Sequence, residues 1–288
     1  MTEPLQTITF LSDYGHADEF VGVVKSVARS IAPHAAVVDL THEIPPHDVR
    51  AGALCLARAA QYLCPGVVLA VVDPGVGTAR RAIAVEVGDG QSFLVGPDNG
   101  LLAPAVSMVG GADRAVVLSN AEYQLPAPGP TFAGRDVFAP AAAHLCNGVD
   151  LLELGDAVDP MGLLPGVLPV TSEIPDGLAG EVLWVDRYGN AQLNVDPDDV
   201  EAWGDRIGLR WGDGESRTGR RAAAYGDLGQ GDVGLVVDSY GLVSIAVARG
   251  SAATTLGLAA GEEIRLVRYE ADDGPRGVVT PVQLQRRA

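Results

Sequence analysis

The chain has 288 residues, of which 47% are hydrophobic, and it carries a formal net charge of −17 at pH 7. This length allows one large domain or two smaller ones, and the apolar fraction supplies a sizeable core. The acidic balance disfavours nucleic acid as a partner, because binding phosphates needs clustered Lys and Arg and the chain has only 20 of these residues, mostly scattered.

Localisation signals and cysteine usage point to a soluble protein. No apolar run reaches the roughly 18 residues of a membrane span, and the N-terminus lacks the basic and hydrophobic regions of a signal peptide. Cys55, Cys64 and Cys146 are odd in number and lack metal-ligand spacing, so we expect free, buried thiols. The sequence therefore predicts a cytoplasmic protein that does not bind membranes.

Strand and helix patterns alternate over the first 150 residues. Asp18 and Asp48 are placed to cap the first two helices. Apolar, β-prone runs predict buried strands at residues 7–11, 36–40, 67–72, 82–87, 92–95 and 115–118. Helical periodicity or an Ala-rich composition predicts helices at residues 19–31, 49–62, 101–109 and 140–147. The alternation predicts an α/β domain with a mostly parallel, helix-covered sheet.

The composition changes after a proline-rich segment at 163–177 that shows neither a strand nor a helix period. We predict an N-terminal α/β domain over 1–165, a linker over 166–177 and a C-terminal domain over 178–288. Short strands alternate with Gly- and Asp-rich turns in this last part, at residues 180–185, 191–195, 207–211, 233–237, 243–247 and 263–267. They predict a smaller all-β domain, a barrel or a sandwich.

The turn after the third strand is the most informative single stretch. Asp73 ends a buried strand, Gly75 and Gly77 let a ligand approach the backbone, and Arg80 and Arg81 return toward the carboxylate. Ligands bind at the carboxyl ends of strands in open α/β sheets. Taken alone, however, an Asp-Pro-Gly turn more often only caps its own amides and pairs with an Arg.

Six stretches together carry a resemblance that none carries alone. They are FLSDYG at 10–15, VVDPGVGT at 71–78, GPDNG at 96–100, TFAGRD at 131–136, DRYGN at 186–190 and DSYG at 238–241. On these stretches the chain resembles the S-adenosyl-L-methionine hydroxide adenosyltransferases, which are related to enzymes that fluorinate or chlorinate the same molecule. The resemblance implies a homotrimer whose active sites lie between the N-terminal domain of one subunit and the C-terminal domain of its neighbour.

The resemblance also implies the reaction. Family members displace methionine from the ribose 5′ carbon by in-line attack, and with water or hydroxide as nucleophile the products are adenosine and methionine. The sulfonium leaves as a neutral thioether and needs no acid, so the enzyme holds and desolvates the nucleophile. No metal or additional cofactor is implied.

By resemblance, Asp73 and Arg80 belong to the group that activates water. Halide-using relatives carry a tyrosine where Asp73 stands, and a carboxylate there would repel a halide by several kcal/mol in a dry pocket. Asp73 thus indicates hydroxide. The hydrolytic relatives usually have a histidine as the third member of this group, where this chain has Ala133. An engineered replacement, a natural member that works with Asp73 and Arg80 alone, and a drift toward halide use all remain open.

Substrate contacts follow by position. In the N-terminal domain, Asp13 matches the aspartate that binds both ribose hydroxyls, and its alternative is a cap for the following helix. Phe132 and Gly134 would flank the ribose and the nucleophile pocket.

In the C-terminal domain, the resemblance implies contacts to methionine and adenine. Asp186 and Ser239 would hold the amino and carboxylate groups, Asn190 would bind the adenine edge, and Tyr188 would lie against the ring. Without the family, residues 188–190 would be only a hairpin turn and Ser239 a surface hydroxyl.

Tyr240 departs from the pattern of the related halogenating enzymes, and Arg249 is implied to act only through its backbone. Tyr240 stands where halogenating relatives carry an arginine, which leaves the carboxylate contact open. Arg249 is implied to contribute backbone groups to adenine.

Three alternatives stay open at this stage. A halogenase would form a 5′-halogenated adenosine, and a non-catalytic protein would bind S-adenosylmethionine or adenosine without releasing methionine. A nucleotide-binding turn at 75–78 is disfavoured, because the chain has neither a phosphate-loop Lys nor a G-x-G-x-x-G motif.

Overall fold

The computed structural model describes residues 4–269, and the chain divides into two compact units between Leu168 and Pro169. This division falls within the proline-rich segment that marks a boundary in the sequence. Among the described residues, no helix has the length and apolar character that crossing a bilayer requires.

The first unit contains a seven-stranded sheet. Its strands are β1 Thr7–Ser12, β2 Ala36–Thr41, β3 Val67–Val71, β4 Ala82–Val87, β5 Ser92–Pro97, β6 Arg114–Val117 and β7 Asp156–Val158. The spatial order is β2-β1-β3-β5-β4-β6-β7, in which β2, β1, β3 and β5 pair in parallel and the remaining pairings are antiparallel. Five strands, β1, β2, β3, β5 and β6, therefore point the same way, as predicted.

Helices cover both faces of this sheet. They are α1 Phe20–Ile31, α2 Val49–Ala59, α3 Ala103–Met108 and α4 Ala139–Cys146, and the π-helical turn Gly134–Phe138 precedes α4. Because side chains alternate along a strand, Leu69 of β3 joins the core of α1 and α4, whereas its neighbour Val68 faces a small cavity lined by α2 and α3. The α/β class is confirmed.

The second unit is built around a closed barrel. Its strands are β8 Ser172–Ile174, β9 Gly177–Val185, β10 Ala191–Leu193, β11 Arg206–Trp211, β12 Glu215–Ala222, β13 Val233–Val237, β14 Val243–Val247 and β15 Glu263–Arg268. Seven strands close in the order β9-β10-β14-β13-β12-β11-β15, and β15 pairs again with β9. Strand β8 pairs with the first three residues of β9. Two short helices, α5 Pro197–Val200 and α6 Ala252–Leu256, complete it. The barrel alternative of the prediction is confirmed.

Several local predictions were wrong. Strand β2 was expected to be buried, but it is the edge of the sheet and leaves 48% of Val38 exposed. Asp18 does not cap α1, because Glu19 is the N-cap residue and makes no side-chain cap hydrogen bond. Asp48 does cap α2, since its carboxylate accepts the Ala51 N–H.

Three strands are absent from the sequence-based prediction. Strands β7 and β8 have only three residues each, and β12 is polar along nearly its whole length. Gly219 of β12 occupies a position where an added Cβ would lie 3.2 Å from Leu235 and 3.4 Å from Leu209. A glycine inside the barrel wall thus replaces the apolar side chain that would mark a strand.

The three cysteines are free thiols, as expected, but their burial differs. Cys146 is buried, Cys55 is partly buried and Cys64 is exposed. Cys146 alone therefore fits the expectation of a buried thiol.

We expect Leu69→Ala to lower the free energy of unfolding of the first unit by about 2 to 5 kcal/mol, because it leaves a cavity beneath α1 and α4. Far-UV circular dichroism during urea unfolding measures this. The matched Leu152→Ala, at a side chain that is 52% exposed, should change it by less than about 1 kcal/mol. All three tryptophans lie in the second unit, at Trp184, Trp203 and Trp211. If Leu69→Ala shifted the unfolding transition seen by tryptophan fluorescence as much as the one seen by circular dichroism, the assignment of Leu69 to the core of the first unit alone would be contradicted.

Candidate active site

Two carboxylates meet at one edge of the first unit because β1 and β3 are adjacent and parallel. Ser12 pairs with Val71 at the ends of these strands, and the Asp13 N–H lies 3.4 Å from the Val71 carbonyl oxygen. Asp13 follows β1 directly, and Asp73 comes two residues after β3. The sheet therefore places both side chains at its carboxyl edge, where ligands bind in open α/β folds.

A tight double turn folds Arg80 back onto Asp73. The Val76 N–H donates to the Asp73 carbonyl at 3.2 Å, and a Cβ on Gly75 would lie 3.1 Å from the Arg80 side chain. Arg80 Nε donates to Asp73 Oδ1 at 2.7 Å, and Nη2 donates to Oδ2. The side chains of Asp73 and Arg80 are only 6% and 15% exposed. This is a two-pronged, charge-assisted pair in a largely dry place.

The GPDNG stretch supports this turn. Asn99 Nδ2 donates to the Val72 carbonyl at 2.9 Å, immediately before Asp73. Arg81 Nε donates to the buried Asp98 carboxylate at 2.7 Å, and Asp98 also accepts the Leu164 N–H at 2.8 Å. The two consecutive arginines therefore have separate carboxylate partners, and the second pair anchors the loop that carries the first.

The π-helical turn contacts the Asp73–Arg80 pair from another side. The Phe138 ring centroid lies 5.1 Å from Arg80 Cζ. At the start of the same turn, a Cβ on Gly134 would lie 3.2 Å from Tyr14 Cζ and would collide with its hydroxyl oxygen. Ala133 is the residue just before this turn. Gly134 is thus required by close packing against Tyr14.

The other residues of the TFAGRD motif brace it internally. Arg135 Nε and Nη2 donate to Asp136 at 2.6 and 3.0 Å, and the Arg135 guanidinium lies 5.1 Å from the Phe132 ring centroid. Asp136 is buried. These two charged residues therefore stabilise the segment that presents Phe132.

Phe132 belongs to an aromatic cluster with two residues that were not predicted as site residues. Its ring centroid lies 5.8 Å from that of Tyr14 and 5.1 Å from that of Phe20, and Tyr14 and Phe20 are 5.6 Å apart. Burial, followed by the nearby Asp13 and Asp73 carboxylates, raises the pKa of Tyr14, and Arg80 opposes this shift only in part. Tyr14 lies inside the FLSDYG stretch, so its place in the motif was the available signal. Phe20 had none beyond helical periodicity.

A chain of polar side chains, buried at Ser12 and His42 and partly exposed at Asp39 and Lys25, holds the turn that carries Asp13 and Tyr14. Ser12 Oγ lies 2.8 Å from His42 Nδ1, His42 Nε2 lies 3.2 Å from Asp39 Oδ1, and Lys25 binds Asp39 at 2.8 Å. A carboxylate facing Nε2 favours a ring proton there, so Nδ1 accepts from Ser12, whose Oγ accepts the Tyr14 N–H at 3.3 Å. Ser12 and His42 therefore support the backbone of the turn at Tyr14.

The segment after β2 also binds Asp13 itself. The His47 N–H donates to Asp13 Oδ2 at 2.8 Å, and His47 has a left-handed φ of 69°. The Gly15 N–H donates to the His42 carbonyl at 2.8 Å. Asp13 is therefore held by backbone contacts and does not cap the following helix, which begins after Glu19.

In the second unit, residues 186–190 and 238–242 form two turns of the same geometry. In each, the aspartate Oδ1 accepts the N–H of the tyrosine two positions later at 2.8 Å, and the glycine after the tyrosine has a φ of 81° or 80°. Tyr188 and Tyr240 are consequently both presented on the surface. Hairpin geometry alone accounts for both glycines.

The Oδ2 atoms of Asp186 and Asp238 have different hydrogen-bond partners. Asp186 Oδ2 accepts from Asn190 Nδ2 at 2.8 Å, and Asp238 Oδ2 accepts from the buried Gln192 Nε2 at 2.6 Å. Burial raises the pKa of Tyr225, and the negative charges of Asp238 and Asp186 add to this effect. Tyr225 therefore lies near both turns, and no sequence pattern marked it.

The remaining predicted residues of this unit lie close by in the fold. Gly189 packs against Ser251, since an added Cβ would lie 2.9 Å from the Ser251 Cα atom, and the Ala253 N–H donates to the Gly189 carbonyl at 2.9 Å. Arg249, just before this contact, has a left-handed φ of 57°. Ser239 is exposed in the second turn.

The structure thus forms two groups from the predicted site residues. The first unit brings together Asp13, Asp73, Arg80, Phe132, Ala133 and Gly134. The second unit groups Asp186, Tyr188, Asn190, Ser239, Tyr240 and Arg249 around its two turns. Within residues 4–269, no cluster of three or more His, Cys, Asp or Glu side chains is arranged to hold a metal ion.

Comparison with known proteins gives matches over most of the chain. Family models described as the S-adenosyl-L-methionine hydroxide adenosyltransferase N-terminal and C-terminal domains match residues 8–155 and 180–265. An (R)-S-adenosyl-L-methionine hydrolase of Salinispora tropica is 43% identical over 263 residues, which cover 91% of this chain and 98% of the hydrolase. A fluorinase of an Actinoplanes species is 30% identical over 68% of this chain and 74% of its own. The crystal structure of an uncharacterized conserved protein from Thermotoga maritima superimposes with a TM-score of 0.83 at 34% identity, over 91% of this chain and 100% of that one.

We expect the free energy of unfolding to fall as the pH drops below about 6.5, in part because of His42. Burial lowers the pKa of His42, with His16 and Lys25 adding to the effect and Asp39 opposing it. Below the pKa of an unfolded histidine, the unfolded chain therefore binds a proton at His42 that the folded chain does not bind. The stability that is present above that pKa is lost as the pH falls below it.

His42→Asn removes this titration, so the loss of stability between about pH 7.5 and pH 5.5 should be smaller in the variant. Urea unfolding at each pH measures it. His34→Asn, at an exposed position, should leave the loss unchanged. An identical pH dependence in His42→Asn would contradict the neutral, buried imidazole.

Proposed function

The chain belongs to the S-adenosyl-L-methionine hydroxide adenosyltransferase family, and we propose that it hydrolyses S-adenosyl-L-methionine to adenosine and L-methionine. The observation that carries the proposal is the buried Asp73–Arg80 pair at the carboxyl edge of the sheet, next to Asp13. A fixed carboxylate in a dry pocket suits a reaction whose main demand is a positioned water.

The reaction is a single in-line displacement. A water oxygen forms a bond to the ribose 5′ carbon while the bond from this carbon to sulfur breaks, and the electron pair of that bond stays on sulfur as neutral methionine. The water proton passes to Asp73, whose carboxylate is oriented by the two Arg80 hydrogen bonds. No metal or further cofactor takes part in this scheme.

Charge favours water over a halide at this position. A halide about 4 Å from the Asp73 carboxylate would be repelled by about 4 kcal/mol at an effective dielectric constant of 20. Arg80 does not offset this fully, because its Nε and Nη2 donors are already directed at Asp73. We therefore place this chain with the hydrolases.

The substrate contacts are proposed by position in the family. Asp13 would accept hydrogen bonds from the ribose hydroxyls, and its Oδ1 has no donor among residues 4–269. Phe132 and Gly134 would flank the ribose and the nucleophile. The contacts to methionine and adenine would come from Asp186, Tyr188, Asn190, Ser239, Tyr240 and Arg249.

The assembly and location are part of the same proposal. We propose a homotrimer in which the first unit of one subunit and the second unit of its neighbour supply these two groups of contacts. Three free thiols and the acidic surface fit a cytoplasmic enzyme that binds neither nucleic acid nor membranes.

Ala133 favours a second candidate function, a protein that binds S-adenosylmethionine or adenosine without turnover. Loss of a positioned acid/base group typically costs about 10² to 10⁴ in rate. The intact Asp73–Arg80 pair favours slow hydrolysis over no hydrolysis, because the carboxylate that receives the proton is present.

We expect Asp73→Asn to lower the rate of adenosine formation by about 10² or more, because the amide cannot take the water proton. Chromatography of adenosine and methionine measures it, and the KM for S-adenosylmethionine should change little. Asp213→Asn, at an exposed position of the second unit, is the matched control and should be as active as the unchanged chain. Full activity of Asp73→Asn would rule out the proposed role.

We expect Ala133→His to raise adenosine formation by about 10² or more, since it supplies an acid/base group beside Gly134. The same assay with and without chloride separates the candidates. A chloride-dependent 5′-chloro product would show a halogenase, and tight binding with no product from either chain would show a non-catalytic protein.

A further inference from the structure

We propose that the hydroxyl of Tyr14 is a third catalytic group of this site, which accepts a hydrogen bond from the attacking water and orients it toward the ribose 5′ carbon. The inference rests on the proposed hydrolysis. It adds a residue to the Asp73–Arg80 pair, in a chain that has Ala133 where a side chain of the water-activating group was expected.

The fold directs the Tyr14 hydroxyl and the Asp73–Arg80 pair at the same short segment. The hydroxyl oxygen packs against Gly134, and the Phe138 ring lies beneath Arg80. Gly134 and Phe138 are four residues apart in a π-helical turn, so they lie on nearly the same side of it. The hydroxyl therefore lies beside position 133 and on the side of this turn that Arg80 contacts.

Tyr14 is also held firmly enough to orient a small molecule. Its ring contacts Phe10, Phe20 and Phe132, with centroids 6.4, 5.6 and 5.8 Å away. Its N–H donates to Ser12 Oγ at 3.3 Å. A side chain that is fixed by packing and by neighbouring hydrogen bonds is preorganised for positioning.

The hydroxyl itself is not used by the protein. Among residues 4–269 the Tyr14 hydroxyl forms no hydrogen bond, although the tyrosine ring that carries it packs within the aromatic cluster. The oxygen can thus accept one hydrogen bond and donate another. This is the capacity needed to hold a water molecule beside Asp73.

The charges around Tyr14 limit it to orientation. Burial and the carboxylates of Asp13 and Asp73 raise its pKa, so the phenol stays protonated at neutral pH and is no general base. One water proton passes to Asp73, the other stays in the hydrogen bond to Tyr14, and Tyr14 ends the step with the proton it began with.

A comparison of four proteins tests the proposal: the unchanged chain, Tyr14→Phe, Ala133→His and the double variant. Tyr14→Phe should lower kcat by about 10- to 100-fold with KM nearly unchanged, less than the loss of a proton-transferring group. In the Ala133→His background the same change should cost less than about 3-fold, because a histidine beside Gly134 would hold the same water.

A control variant separates this role from a structural one. Tyr123→Phe, which removes a hydroxyl bonded to Glu153, should leave kcat unchanged. Melting temperatures of all variants identify any that fail to fold.

The outcomes are distinct. Full kcat in Tyr14→Phe, or an equal loss with and without the histidine, would overturn the role of Tyr14 while leaving the hydrolysis standing. A basic limb of the pH–rate profile that vanishes in Tyr14→Phe would show a phenolate base and would also overturn it. Absence of adenosine from all four proteins would overturn the proposed function itself.

Discussion

The parallel pairing of β1 with β3 is the constraint on which the rest of the site depends. A parallel pair brings the carboxyl ends of two strands to the same edge, so residues far apart in sequence, Asp13 and Asp73, come together without a dedicated loop. Each is then fixed by its own support. Arg80 holds the second carboxylate, and the His47 N–H holds the first. A shift of β1 by one residue would turn Ser12 and its neighbours to the other face and separate all these contacts.

The low solvent exposure of the Asp73–Arg80 pair affects which nucleophile the proposed site would bind. The Asp73–Arg80 pair is nearly closed to solvent, and its two hydrogen bonds are directed at one carboxylate. In such surroundings charge is screened weakly, so an anion and a neutral nucleophile differ far more in binding free energy than they would in water. In the proposed reaction, the choice between water and a halide would therefore rest on the Asp73 carboxylate.

The sequence predicted those parts of the fold in which the apolar residues follow a regular pattern. Strand β3 is apolar throughout, and helix α1 has its buried residues at helical spacing, so both patterns are unambiguous. Prediction failed where the burial of a residue depends on neighbouring elements and not on its own side chain. Gly219 in β12 is covered by Leu235, and Val38 in β2 is apolar but lies at an open edge.

The same distinction applies to the site. Asp73 and Arg80 were identifiable because a motif of fixed spacing carries both. The role proposed for Tyr14 had no signal beyond its place in such a motif, because an aromatic residue next to a buried strand is usually only packed. Tyr225 carries no local pattern at all, and its closeness to Asp186 and Asp238 arises only when the barrel closes.

Gly134 has no side chain, and this absence makes room for the hydroxyl of Tyr14, 120 residues earlier in the chain. A methyl group there and the hydroxyl of Tyr14 occupy the same space, so the two positions cannot diverge independently. Any descendant that gains a side chain at 134 must therefore also shorten or move the residue at 14. Divergence at this site is therefore coupled, because a change at one of the two positions limits what the other can become.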